Sequence, residues 1–234
     1  MSDLKTLYLL PGLMCDQTVW APQRAALIDV AQIHIPNFLG LDSFEAMARR
    51  TLEQAEGPLW LAGHSMGGRV ALEAWRMAPE RIAGLALMDT GVHGVRPQEK
   101  AVREGLVKRA RAEGMDAVVE GWLPPMIHPD RLNDVVLYDA IAGMIRRASP
   151  EQFEKQQHAL LTRPDATGYL PSIACPTLVM TGRQDAWSPP AQHEQIAAAI
   201  PGATLTIIED CGHMSTLEKP GEVTALLRSW LARG

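Results

Sequence analysis

Six short apolar runs, separated by longer segments with helical period, constrain the fold of this sequence more than any other feature. They are Leu4–Leu10, Ala31–Ile35, Pro58–Ala62, Ile82–Met88, Thr177–Thr181 and Thr204–Ile208, each bounded by turn residues. Runs this short and this continuously apolar suit strands buried on both faces, and such strands pair in parallel beneath covering helices.

The intervening segments supply those helices. Val19–Ile28 follows a possible cap at Asp16 or Thr18, and Phe44–Ala55 opens after Ser43. Ser65–Met77 stops before Pro79, while Pro190–Ile200 and Pro220–Leu231 begin with proline, which the first helical turn tolerates. From about residue 91 to 173 the alternation breaks. That stretch holds no convincing strand but has helical patterns at Glu99–Glu113, Asp130–Arg147 and Glu151–Leu161. With no linker on either side, the expected organisation is one α/β domain, residues 1–90 and 174–234, carrying a helical cap inserted at 91–173.

Composition narrows the function classes. At 234 residues and 47% hydrophobic the chain can bury a sizeable core, and a formal charge of −5 leaves no basic footprint for nucleic-acid phosphates. Cys15, Cys175 and Cys211 show no paired metal spacing and fit a reducing compartment. The opening MSDLKTLYLLPGLM is interrupted by Pro11 and Gly12, so it reads as neither a secretory nor a membrane segment. The expectation is a soluble cytoplasmic protein without membrane or nucleic-acid partners; its oligomeric state is open.

The chemistry concentrates at Gly63-His64-Ser65-Met66-Gly67-Gly68, directly after an apolar run and before a helix. A strand, sharp turn and helix around G-x-S-x-G is the context of a nucleophile elbow, in which glycines two before and two after the serine relieve crowding. The same turn puts Ser65 at a helix N-terminus, where the Met66 N–H can meet a developing oxyanion. A serine hydroxyl needs a base, and the base an orienting acid. Downstream, Pro176–Gly182 leads into Arg183-Gln184-Asp185, and Leu205–Ile208 leads to Cys211-Gly212-His213, so the residues occur in the order Ser, Asp, His.

With these motifs, and with Leu9-Leu-Pro-Gly12 and Glu218-Lys-Pro220, the sequence resembles the α/β-hydrolase superfamily along nearly its whole length, most closely the small capped carboxylesterases and enol-lactonases. The resemblance implies Ser65 as nucleophile, His213 as general base and acid, Asp185 as orienting acid, and no cofactor or metal. By position it makes Leu13 the second oxyanion donor beside Met66; Pro11 departs from the family's usual histidine, and a proline there carries no N–H. The usual N-terminal hairpin is also missing, so the fold expected is an α/β-hydrolase sheet of six parallel strands in the order 2-1-3-4-5-6. Helices cover both faces, and the site lies at the carboxyl strand ends.

Rival readings attach to several residues. Asp89 also ends a strand at the same edge and is the alternative acid; Asp210 reads as a turn residue. His64 reads as packing under the elbow, and His34, His93, His128, His158 and His193 as scattered surface residues without metal spacing. Met14, Trp122, Met126, Trp187 and Met214 are the expected substrate contacts, giving an apolar pocket for a small ester or lactone. Arg69 and Arg183 are read first as surface ion pairs and second as carboxylate ligands. The activity expected is ester hydrolysis through an acyl-enzyme. A carbon–carbon hydrolase or lyase using the same residues, and a non-catalytic ligand receptor, are the alternatives.

Overall fold

A computed structural model describes residues 4–54 and 56–233. It contains a six-stranded parallel sheet: β1 (Lys5–Leu10), β2 (Ala31–His34), β3 (Leu59–His64), β4 (Ile82–Met88), β5 (Thr177–Gly182) and β6 (Thr204–Ile208). Their order is β2-β1-β3-β4-β5-β6, as the sequence implied. The central strands are buried along their length, which explains their unbroken apolar character.

Helices α1 (Ala21–Leu27), α2 (Phe44–Glu53) and α3 (Met66–Met77) follow the first three strands. Between β4 and β5 run α4 (Glu99–Glu113), α5 (Met115–Trp122), α6 (Val135–Arg147) and α7 (Pro150–Leu161). The chain closes with α8 (Pro190–Ala199), α9 (Ser215–Glu218) and α10 (Pro220–Leu231). α2 packs on α3, and α1 on α10. Trp230 of α10 meets Trp60 of β3 edge to face, in space left by the missing side chain of Gly84.

Several element boundaries differ from expectation, each for a local reason. Val19–Ile28 begins instead as a 3-10 turn, Gln17–Trp20, capped by the Asp16 side chain, and becomes α-helical only at Ala21. The helix expected from Asp130 starts at Val135, because Asp134 accepts the Leu137 N–H and sets the N-cap, while Pro129–Arg131 forms a separate turn. α2 ends at Glu53; its expected last residue, Ala55, lies outside the described residues, as do residues 1–3 and 234. α5, which the sequence reading did not single out, buries Ala117, Val118, Val119 and Trp122 and exposes Asp116, Glu120 and Gly121. No helix among the described residues is long and apolar enough to cross a membrane.

Candidate active site

β3 delivers Ser65 to the carboxyl edge of the sheet in a left-handed conformation, φ 54° and ψ −116°, at the N-cap of α3. Such backbone costs a non-glycine residue about 1–3 kcal/mol and persists only when its surroundings impose it. Here the Ser65 N–H donates to the Met88 carbonyl at 2.8 Å, and the Thr90 hydroxyl donates to the Ser65 carbonyl at 2.7 Å. The two flanking glycines are sterically required. A Cβ on Gly63 would lie 2.3 Å from the Gly67 carbonyl oxygen, and one on Gly67 would lie 2.1 Å from that of Leu10.

His213 bridges Ser65 and Asp185. Its Nε2 lies 2.9 Å from Ser65 Oγ and its Nδ1 2.8 Å from Asp185 Oδ2. Asp185 is fixed in turn: Oδ1 accepts the N–H groups of Trp187 and Ser188, each at 2.8 Å, and Oδ2 accepts the Thr181 hydroxyl at 3.3 Å. Burial pushes the Asp185 pKa up, but the charge and hydrogen bond of His213, with the two backbone donors, outweigh burial and hold it below the usual range. The loops bearing Asp185 and His213 are tied together where Gln184 N–H meets the Cys211 carbonyl and Cys211 N–H meets Gln184 Oε1.

Asp89 stands beside this chain without entering it. It accepts the Gly182 N–H at 3.2 Å and the Ser215 hydroxyl, and it is fully buried. Burial and then the Asp185 charge push its pKa well above the ordinary carboxyl value. His64 lies under the elbow, as read from the sequence, and its Nε2 also sits 2.8 Å from the His213 carbonyl. Burial and the His213 charge pull the His64 pKa down to about 3, so the ring is neutral and donates that bond. Asp210 is an exposed turn residue at φ 50°.

Sequence reasoning missed three supports. Glu218 accepts the N–H groups of Gly212 and Met214 through Oε1, each at 3.1 Å, and that of His128 through Oε2 at 2.8 Å, bracketing His213. Gln156 of α7 accepts the Met14 N–H at 2.8 Å and ties the loop after β1 to the inserted helices. His193 is buried, not superficial; its Nε2 accepts the Thr90 N–H at 2.9 Å. His128 is likewise buried, and its Nδ1 accepts the Asp130 N–H at 3.2 Å. Only Glu218 left a trace in the sequence, as part of a recognised motif.

A cavity of about 210 Å³ lies against Ser65, with Leu13, Met66, Trp122, Trp187 and His213 in its wall. Trp122 and Trp187 meet edge to face at 5.0 Å. The other expected contacts are absent from that wall. Met14, at φ 56°, lines a second cavity of about 500 Å³ with Phe38 and Met144, while Met126 and Met214 are buried in packing. Met126 contributes its carbonyl, which accepts the His213 N–H at 2.7 Å. The expected apolar character also fails, because Arg69 and three further arginines line the cavity. Arg69 is the fourth residue of α3 and therefore shares the serine's end of that helix, a spacing visible in the sequence. Arg183 is the surface residue expected, paired with Glu209 at 2.6 Å. The cysteine thiols are free, and burial raises all three pKa values, that of Cys15 to about 12. No cluster of three or more His, Cys, Asp or Glu among the described residues is placed to hold a metal ion.

A parallel sheet with a serine elbow at its carboxyl edge and a histidine between that serine and a buried carboxylate defines the hydrolase class on an α/β scaffold. The profile of the alpha/beta hydrolase family matches residues 7–226, and the chain belongs to that family. It is similar to the polyketide synthase ThaQ of Burkholderia thailandensis, at 30% identity over 88% of this chain and 11% of that one. A 2-hydroxy-6-oxononadienedioate/2-hydroxy-6-oxononatrienedioate hydrolase of Klebsiella pneumoniae is 29% identical over 74% of this chain and 62% of its own length. The chain thus spans less than two thirds of either curated relative. Among solved structures, a malate-bound thermophilic esterase of Thermogutta terrifontis superposes with a TM-score of 0.89. It is 32% identical, with 99% of this chain and 90% of that one covered.

Proposed function

We propose that this protein hydrolyses a small carboxylic ester or lactone through an acyl-enzyme on Ser65. The observation that carries the reading is the continuous path from Ser65 Oγ to His213 at 2.9 Å and on to Asp185 at 2.8 Å. Ser65 Oγ attacks the carbonyl carbon while its proton passes to His213 Nε2, and Asp185 steadies the imidazolium through Nδ1–H. The carbonyl oxygen takes up negative charge at the N-terminus of α3, where the N–H groups of Met66 and Leu13 receive it. Collapse expels the alkoxide, which leaves with the proton from His213. Water then gives a proton to His213 and attacks the acyl carbon, and collapse breaks the bond to Oγ, which takes that proton back from His213. In a lactone the leaving oxygen stays on the acyl chain. None of these steps calls for a metal or cofactor.

A set of p-nitrophenyl esters of increasing acyl length, with simple lactones, tests the reading against Ser65→Ala. Wild-type turnover should fall by about four powers of ten or more in the variant. The likeness to hydrolases of a hydroxy-oxo-dienedioate favours the carbon–carbon hydrolase as a second reading. Labelling of Ser65 by a fluorophosphonate without ester turnover would point there. Absence of both would leave the non-catalytic receptor.

A further inference from the structure

The cavity beside Ser65 carries more positive charge than ester hydrolysis requires. Arg69, Arg96, Arg103 and Arg163 line it, against one lining carboxylate, Glu99. Arg163 claims that carboxylate with two contacts of 2.7 Å and donates its remaining N–H groups to the carbonyls of His93, Gly94 and Leu160. Arg103 reaches Glu99 more loosely at 3.4 Å and Gln157 at 2.8 Å. The nearby acid Asp165 engages the N–H groups of Gly94 and Thr167.

Arg69 is left without an acid. Its guanidinium has one hydrogen bond, from Nη1 to the His93 carbonyl at 3.0 Å, and no ion pair among the described residues. Burial, then the charge of Arg163, pulls its pKa down to about 9, so the group is charged at neutral pH in a place that penalises the charge. An anion beside it reverses that penalty. Arg69 follows Ser65 by four positions, a backbone rise of about 6 Å along α3, and both residues line the same cavity. At Gly91 an added Cβ would lie 2.9 Å from Arg69 Nη2 and 3.1 Å from Gln192 Oε1, so the glycine keeps the fork and the carboxamide side by side in the wall. A planar fork with unengaged N–H groups matches the two oxygens of a carboxylate.

Building on the Ser65 hydrolase reading, we propose that the substrate is an ester or lactone bearing a separate carboxylate, held by Arg69 in the wall of the cavity that Ser65 also lines. Arg96 and Arg103 add to the field that attracts it. Arg69 thereby sets specificity for a dicarboxylic half-ester, or its lactone counterpart, over a neutral ester of the same shape.

Calorimetric titration of Ser65→Ala with glutarate, and with neutral glutaramide, reads the subsite without turnover. Glutarate should bind and glutaramide should not. Arg69→Gln in the same background should weaken glutarate at least about tenfold, with partial recovery in Arg69→Lys. For the active enzyme the readout is the ratio of kcat/KM for monomethyl glutarate to that for dimethyl glutarate. It should exceed about ten and collapse in Arg69→Gln, chiefly through KM. If glutarate fails to bind, if glutaramide binds as well, or if inorganic phosphate binds more tightly, the proposal is overturned. Ser65-dependent cleavage of dimethyl glutarate without preference for the monoester sinks it while leaving the hydrolase reading intact. Loss of all turnover and of fluorophosphonate labelling sinks the hydrolase reading, and the titration still judges the arginine site. The wild-type ester comparison and the Ser65→Ala titrations stand even if Arg69→Gln does not fold.

Discussion

Two buried carboxylates, Asp89 and Asp185, end neighbouring strands, and their hydrogen bonds give them different work. Asp185 faces His213 Nδ1 at 2.8 Å, whereas Asp89 is occupied by Gly182 and Ser215. In the proposed reaction His213 must be neutral to accept the serine proton. Burial lowers its pKa, but the charge and hydrogen bond of Asp185, with Asp89 and Glu218 adding to them, raise it above the ordinary 6.5. Below that raised pKa the ring is protonated and inactive, so kcat/KM should decline toward acid with a midpoint above 6.5. A pH–rate profile of three proteins checks this. Asp185→Asn should move the midpoint down and lower the plateau by about four powers of ten. Asp89→Asn, which keeps the shape of the side chain, should stay within about tenfold of wild type. A larger loss in Asp89→Asn would reverse the two assignments.

At the scale of elements, the site is made of loops that regular structure pins from both sides. The Ser65 elbow needs β3 and α3 in near contact, which glycines at 63 and 67 permit. The His213 loop is held by one side chain of α9: Glu218 receives three buried N–H groups. Leaving such donors unsatisfied costs about 1–3 kcal/mol each before the loop relaxes. Glu218→Ala should therefore lower unfolding free energy by about 2–4 kcal/mol in urea melts. Its kcat should fall as well, because His213 loses its frame. An unchanged melt would mean the loop is held elsewhere. This device was only partly legible beforehand. The Glu-Lys-Pro motif was visible, but the donors it serves lie up to 90 residues away.

Across the whole molecule, sheet and inserted helices share one apolar cluster: Leu61 and Leu87 of the sheet belong to it together with Trp122, Ile141 and Phe153. Polar bridges cross the same junction, among them Gln156 to the Met14 N–H and the Met126 carbonyl to the His213 N–H. Both touch loops that carry the proposed chemistry. Shared burial couples the parts thermodynamically. Equilibrium unfolding followed by tryptophan fluorescence and by far-ultraviolet circular dichroism should give coincident transitions, since Trp60 and Trp230 report on the sheet and Trp122 and Trp187 on the junction. Separate transitions would show that the inserted helices unfold on their own.

The sequence by itself pointed to the parallel sheet and singled out Ser65, Asp185 and His213, and the strand order came with the family resemblance those motifs carry. Apolar runs, glycine spacing and strand-end positions are local signals that survive without coordinates. Only the tertiary structure decided what faces the serine. Met14 and Met214 adjoin Leu13 and His213 in the sequence and yet line none of the cavity, nor does Met126, whereas Arg96, Arg103 and Arg163 reach it from between β4 and β5. Which side chains converge on a cavity depends on backbone direction and helix packing between distant segments. Arg69 lies between the two cases. Its place one turn from Ser65 follows from the sequence, but its lack of an acidic partner appears only when every neighbour is in position.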